Sequence, residues 1–260
     1  MAKTKIHSTS IVSSTAKLGD GVDIGPFCII GKGVKIGKNT RLVSHVTIKD
    51  AEIGSDCVIY PFSAIGLAPQ DTKYKNEKTM VKIGNNNTIR ESVTIHRASV
   101  DGNGRTEIGD NNFIMAYSHI AHDCKLGNSI IMANTTTLAG HVEVEDFAVI
   151  GGLVAVHQHA RIGACSMIGG VSGVSMDVPP YTMASGNRAK LYGLNTTGIK
   201  RQGIKDSSIK ELKSAYKLLF RSKLTLKEAI DKVRSDLKQT NEIKHLLKFI
   251  EHSGKRGICR

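Results

Sequence analysis

The sequence predicts a mainly β protein: a parallel β-helix of triangular cross-section, followed by a small C-terminal α-helical domain. Three observations carry that expectation. Aliphatic residues recur every six positions over most of the chain. A small residue commonly stands two positions before each of them. Past Val174 the six-residue pattern gives way to helical spacing.

The repeat starts at Ile6 and steps through Val12, Leu18, Ile24, Ile30, Ile36, Leu42 and Ile48. It slips by one residue and resumes at Ile53, Ile59 and Ile65. It returns at Ile83, Ile89 and Ile95, slips again, and then runs by sixes from Ile108 to Val174. With only 40% of the chain hydrophobic, chance does not produce such a run. An internal period of this kind sets the fold and is read first. Residues two apart on a strand share a face. Each short strand therefore turns one large and one small side chain inward, the small ones including Cys28, Ser63, Ser118, Cys124, Ala148 and Ser166. Strands of a sandwich would recur at roughly 8–12 residues instead. Six residues to a side and three sides to a turn make a coil of 18 residues. Glycine often follows the aliphatic position, as at Gly25, Gly37 and Gly151. It is expected at a corner, where positive φ costs glycine little.

Two interruptions read as loops, over residues 66–82 and 96–107. In the first, Asp71 and Glu77 fall on aliphatic slots; the second contains Asp101-Gly102-Asn103-Gly104. Pro179-Pro180 is expected to end strand pairing. The coil is accordingly assigned to residues 1–187 and the tail to residues 188–260. Ile209, Leu212, Tyr216 and Leu219, then Leu226, Ile230 and Val233, then Ile243, Leu246 and Ile250 have helical periodicity, so three helices are expected within 206–253. Ser208 with Glu211, and Thr225 with Glu228, have capping-box spacing.

Composition narrows the function. No apolar run approaches the roughly 20 residues that span a bilayer, so no stable membrane insertion is expected. The first residues lack the apolar core of a secretory signal. Five Cys is a sparse, odd count that argues against a disulfide scaffold and for a reducing compartment. None lies in a CxxC pair, so a structural zinc site has no support. Residues 188–260 carry 19 Lys+Arg against 7 Asp+Glu, whereas residues 1–187 carry 17 against 16. The basic surplus belongs to the tail, either as a solvated helical surface or as a docking surface for an acidic partner. Aromatic interleaving and a nucleic-acid motif are both missing, so no nucleic-acid partner is expected.

Five of ten His fall between 119 and 159: His119, His122, His141, His157 and His159. None occupies an inward slot. His141 and His159 are 18 apart and should stack on one outer face. Imidazole is the side chain best suited to proton transfer near neutral pH. Asp123 follows His122 and can fix its tautomer. No nucleophile elbow accompanies the pair, and Cys124 falls in a small inward slot. The base would then act directly on a substrate hydroxyl or amine. Gly140 precedes His141; its N–H can donate to an oxyanion, or it is a plain corner glycine, and both readings stand. A flat-sided prism has no deep pocket, so a site between copies is expected, most naturally in a trimer.

The stretches Gln70-Asp71-Thr72-Lys73-Tyr74, Ile89 to Arg97, His119-Ile120-Ala121-His122-Asp123-Cys124, Leu138-Ala139-Gly140-His141, Ile150 to Gln158, Asp177 to Tyr181 and Gly186-Asn187 go further. In them the chain resembles the cytosolic UDP-N-acetylglucosamine acyltransferases that begin lipid A synthesis in Gram-negative bacteria. The likeness covers nearly the whole chain. It implies a left-handed coil, a homotrimer and a cytoplasmic location. It implies transfer of an (R)-3-hydroxyacyl group from acyl carrier protein, where it rides on phosphopantetheine, to the 3-OH of UDP-N-acetylglucosamine. No cofactor or metal is implied. By the same resemblance His122 is the general base, oriented by Asp123, and the Gly140 N–H polarises the thioester carbonyl. Gln70, Asp71, Lys73, His119, His141, His157 and Gln158 bind substrate. Asn195 and Arg201 contact the nucleotide, and Met167 and Gly170 line the acyl groove, where Gly170 leaves room for a long chain. Acidic carrier protein suits the basic tail.

Alternatives remain at this point. Some relatives take a 3-amino UDP-sugar. The N-acyltransferase of the same pathway carries an extra N-terminal domain, for which hexads starting at Ile6 leave no room. Clustered His also suits a zinc-dependent hydratase of the hexapeptide-repeat type, and a non-catalytic β-helix scaffold is the blandest reading.

Overall fold

The computed structural model describes residues 3–254 and 256–260. Most strands are two residues long and end on a repeat position, as in Asp23–Ile24, Arg41–Leu42 and Val149–Ile150. They pair in parallel with the strand one coil further on. Ile24 lies beside Leu42, Ile120 beside Leu138 and Ile150 beside Ile168. Three sheets of 11, 9 and 8 strands result, visited in rotation; they are called here the first, second and third. Backbone N–H groups of one coil donate to carbonyls of the next, as from Gly25 to Leu42 at 2.8 Å.

The repeat positions from Ile24 to Val174 are buried, as are the small partners Cys28, Ser118 and Ala148. Removing such aliphatic area from water is the main stabilising term. The first coil is the exception. Ile6 is 49% exposed and Val12 and Leu18 are only partly buried, because no described residue stacks on their other side.

The outer faces differ in chemistry. On the third sheet Glu52, Lys82, Glu107, Lys125, Glu143 and Arg161 are successive partners, a column of alternating charge that faces water except at Arg161. On the first sheet the column is Phe113, Ile131, Val149 and Met167. On the second it is Thr94, His119, Thr137 and Ala155.

The corner glycines are there for space, not for φ. The left-handed residue lies two positions later and is seldom glycine: Phe27, Asn39 and Leu153 have φ of 57°, 55° and 58°. A Cβ on Gly25 would stand 1.9 Å from the Val43 carbonyl oxygen of the next coil, and one on Gly151 2.6 Å from the Gly170 nitrogen.

Both loops leave at the corner between the second and third sheets. The chain departs after Leu67 and returns at Met80, then departs after His96 and returns at Arg105. Asp71 and Glu77 thus fill no aliphatic slot; the segment is inserted into one side of a coil. Arg97 fastens it, donating to the Tyr74 hydroxyl and the Gly66 carbonyl, each at 2.9 Å. Nor does Pro179-Pro180 end the pairing. Val178 bridges Ile162, Thr182–Ser185 pairs with the Met167 strand, and Asn187 bridges Gly173. The prolines sit where no further coil requires their N–H.

Four helices follow: α1 (Thr196–Arg201), α2 (Asp206–Arg221), α3 (Leu226–Asp236) and α4 (Asn241–Glu251). The first was not expected; six residues show no periodicity, and its signal is Asn195, whose side chain caps it by accepting from Gly198. α2 starts at Asp206 behind Lys205, so Ser208 lies inside it and is no cap. The Thr225–Glu228 capping box forms with both halves. Arg161 ties the tail to the coil through Asp177 at 2.7 Å and the Phe249 carbonyl at 2.9 Å. Among the described residues no helix is long and apolar enough to cross a membrane.

Coil packing sets an expectation for single substitutions. Ile114→Ala, at a fully buried repeat position, should cost about 2–5 kcal/mol. Lys125→Ala, outward on the next strand but one, should stay within about 0.5 kcal/mol. Urea midpoints of the two variants check this; equal midpoints would contradict it.

Candidate active site

Three successive coils turn the same corner, between the second and third sheets, at residues 121–123, 139–141 and 157–159, directly beside the two loops. Asp123, His141 and His159 hold its left-handed positions, with φ of 60°, 59° and 63°. Side-chain-bearing residues reach that region only when the surroundings enforce it, and here stacked coils enforce it three times. The register then stacks His141 on His159 with centroids 4.6 Å apart, while His122 meets His141 edge-on at 5.2 Å.

His122 Nδ1 lies 2.8 Å from Asp123 Oδ2. The Ser99 N–H donates to the same oxygen at 2.9 Å, and the Asp123 N–H donates to Thr106 Oγ1 at 2.9 Å. The Asp123 side chain is 3% exposed, and its Oδ1 has no partner among the described residues. The carboxylate favours the tautomer with Nδ1 protonated, which leaves Nε2 as a basic atom. Gly140 lies against that atom: a Cβ there would stand 2.7 Å from His122 Nε2. The Gly140 N–H meets no acceptor among the described residues. A base beside an unused amide N–H is what an acyl transfer needs, one to take a proton and the other to receive an oxyanion.

Six expected residues, Gln70, Asp71, Lys73, His122, His141 and Gln158, line one cleft of about 340 Å³, with Thr72 and Asp101. Asp71 accepts from the Ser99 hydroxyl and from the Lys73 N–H, and these bonds hold its carboxyl below the usual range. Lys73 Nζ pairs with Asp101 at 3.2 Å. The His rings leave the coil as expected, yet the loops cover them: the His122 and His141 side chains are mostly buried. His119 lies on the second sheet, its Nδ1 2.7 Å from Thr94 Oγ1, and burial lowers its pKa. His157 is exposed.

Other expected residues stand apart. Asn195 is buried, its amide donating to the Cys165 carbonyl at 2.9 Å and accepting from the Gly198 N–H at 3.0 Å, while Arg201 is exposed at the end of α1. Met167 borders an apolar trough of about 250 Å³ with Gly169, Met183 and Tyr192. Gly170 lies outside that trough, on the corner between the first and second sheets. His122, Asp123 and His141 have ligand atoms within 4.8 Å of one another, a donor set of the size a cation takes. A cation there would take the Asp123 oxygen away from His122 and Ser99. Cys124 is buried, which raises its thiol to about 12 and rules it out as a nucleophile.

Ser99 and Asp101 were missed because they ride on an inserted segment without periodicity, and Thr106 because it fills the small inward slot two before Ile108, where packing is the ordinary reading. His96 was missed as well. It is buried, its Nδ1 is unpartnered among the described residues, and burial lowers its pKa to about 4, with the neighbouring His119 next in effect. The folded state therefore holds it neutral, while an unfolded His titrates at about 6.5. Above that pH it has no effect; between about 6.5 and 4 the unfolded chain takes the proton first and stability falls. His96→Leu should flatten the fall in melting temperature over this window. Equal slopes in both proteins would contradict the assignment.

Comparison with known proteins fits this geometry. A family profile described as UDP-N-acetylglucosamine O-acyltransferase, domain 2, matches residues 177–259, and the bacterial transferase hexapeptide repeat matches residues 15–50 and 105–140. The chain is 67% identical over 257 residues to the acyl-[acyl-carrier-protein]–UDP-N-acetylglucosamine O-acyltransferase of Thermodesulfovibrio yellowstonii, covering 98% of this chain and 99% of the relative. The solved UDP-N-acetylglucosamine O-acyltransferase (LpxA) of Moraxella catarrhalis is 44% identical with a TM-score of 0.94, covering 98% and 99% of the two chains. The LpxA of Bacteroides fragilis is 37% identical with a TM-score of 0.96, covering 98% and 100%. The paired histidine and aspartate, the hexad coil and the helical tail thus all point one way: this chain belongs to the acyl-carrier-protein–UDP-N-acetylglucosamine O-acyltransferase family.

Proposed function

We propose that the chain transfers an (R)-3-hydroxyacyl group from the phosphopantetheine thioester of acyl carrier protein to the 3-hydroxyl of UDP-N-acetylglucosamine, the first step of lipid A synthesis. The observation that carries this reading is His122, held between Asp123 at 2.8 Å and the bare Cα of Gly140. His122 Nε2 takes the proton from the 3-OH as its oxygen attacks the thioester carbonyl. Asp123 stabilises the imidazolium that forms. The Gly140 N–H receives the developing oxyanion. On collapse the C–S bond breaks and the imidazolium returns its proton to the leaving thiolate. No covalent enzyme intermediate and no cofactor enter this scheme.

Gln70, Asp71, Lys73, His141 and Gln158 bind the sugar and the pantetheine arm, with His119 and His157 beside them. Asn195 and Arg201 serve the nucleotide, Asn195 through the turn that it caps. Met167 and Gly170 guide the acyl chain. Gly170 lies at the first-to-second-sheet corner and Met167 on the first sheet, away from the corner that carries His122. A neighbouring copy that lays its first-to-second-sheet corner against the second-to-third-sheet corner brings them together, and the apolar column of Phe113, Ile131, Val149 and Met167 gives that contact a face. Closed three-fold symmetry satisfies this for every copy. We read the assembly as a homotrimer, the coil as left-handed, the division between coil and tail as falling at 187/188, and the location as cytoplasmic. Lys210, Lys213 and Lys217 are exposed along α2 and suit an acidic carrier.

The test weighs products. The protein is incubated with UDP-N-acetylglucosamine, its 3-amino analogue and a ladder of acyl-carrier thioesters. O-acylated sugar is expected, and His122→Ala should lose about 10²–10⁴-fold in kcat with unchanged melting. Acylation of the amino sugar alone would replace the acceptor. Full activity of His122→Ala would remove the base.

A further inference from the structure

The structure assigns Ser99 and Gly102, on the loop between His96 and Arg105, a positioning role: they hold the Asp123 carboxylate and the cleft carboxylate of Asp71 in fixed relation to His122. This rests on the acyl-transfer reading above, in which His122 is the base.

Asp123 is bonded on one side only. His122 Nδ1 at 2.8 Å and the Ser99 N–H at 2.9 Å both reach Oδ2, and His141 Nε2 stands 3.9 Å from the same atom. The other oxygen, Oδ1, is buried without a donor. Hydrogen bonds to a single oxygen leave rotation about the Cβ–Cγ bond weakly restrained, since that torsion is broad. Gly102 closes the gap. A Cβ on it would stand 1.8 Å from Oδ1 and 2.5 Å from Cγ. Its φ lies outside the left-handed region, unlike that of Gly104, whose φ is 72° with open space around it. Glycine at 102 thus serves the carboxylate, whereas glycine at 104 serves the turn.

Ser99 acts in two directions. Its N–H fixes Asp123, and its hydroxyl donates a short hydrogen bond to Asp71 Oδ2. One loop residue therefore links the base's partner to a carboxylate of the acceptor cleft. Neither Ser99 nor Gly102 touches the reacting atoms in this arrangement. They set where Asp123 and Asp71 point, and small misplacements at such sites cost rate steeply.

The two residues separate kinetically. In the full-length protein, Gly102→Ala should keep wild-type melting and lower kcat about 10²-fold, with KM for UDP-N-acetylglucosamine nearly unchanged, because the new methyl displaces Asp123 from His122. Ser99→Ala keeps the backbone donor and loses the bond to Asp71. It should raise that KM about tenfold, the usual consequence of losing a hydrogen bond to a charged group, with little change in kcat. Ser99→Thr should restore it. If Gly102→Ala fails to fold, the Ser99 pair decides alone. Wild-type kcat and KM in these variants, beside an inactive His122→Ala, overturn the positioning role and leave the base intact. Activity retained in His122→Ala overturns the base and this role with it.

Discussion

Aliphatic side chains stacked at one-coil intervals fix how far each turn is displaced from the next, and through that displacement they fix every corner residue. Ile120, Leu138 and Val156 lie above one another in the second sheet. The corner that follows each of them therefore repeats in space, and residues three past each aliphatic position arrive in one column: Asp123, His141 and His159. Two of these are imidazoles, His141 and His159. At the corner between the third and first sheets the same geometry carries Gly with Asn or Asp, a ladder in which Asp110 accepts from Asn85 and Asp146 from Asn128. One scaffold rule thus gives two corners of different chemistry.

A coil built this way has flat walls, and a flat wall makes a poor pocket. The chain inserts two segments at the corner between the second and third sheets, where they line the cleft and bury Asp123. Most of the charged column on the third sheet faces water, while the first sheet presents an apolar column. The residues expected to bind substrate are divided between the cleft and the first-sheet side of the same prism.

Much of this was legible in the sequence. The hexads gave the coil, its inward residues and the outward imidazoles, because a strict period maps directly onto a repeating geometry. His122 and Asp123 could be paired because they are adjacent in the chain, and they stand 2.8 Å apart. The failures share a cause. Ser99 and Asp101 belong to inserted chain, where position follows from tertiary contacts and not from spacing. The corner glycines were assigned to positive φ, yet the next coil's backbone excludes their Cβ, a contact between residues about one coil apart. Pro179 and Pro180 read as a stop, but the last coil has no successor that asks for their N–H groups. Ser208 had the spacing of a cap, while the apolar face of α2 set that helix to begin at Asp206.

The claim at the centre is that coil register aims a buried carboxylate at one imidazole and makes it a base. Asp123→Asn tests this most directly, because it preserves shape, removes the charge and replaces one acceptor oxygen with an NH2 donor. The measurement is kcat alongside the melting temperature. The account expects a loss of about 10²–10⁴-fold in kcat with the coil still folded. A variant that melts like the wild type and turns over at the wild-type rate would contradict it.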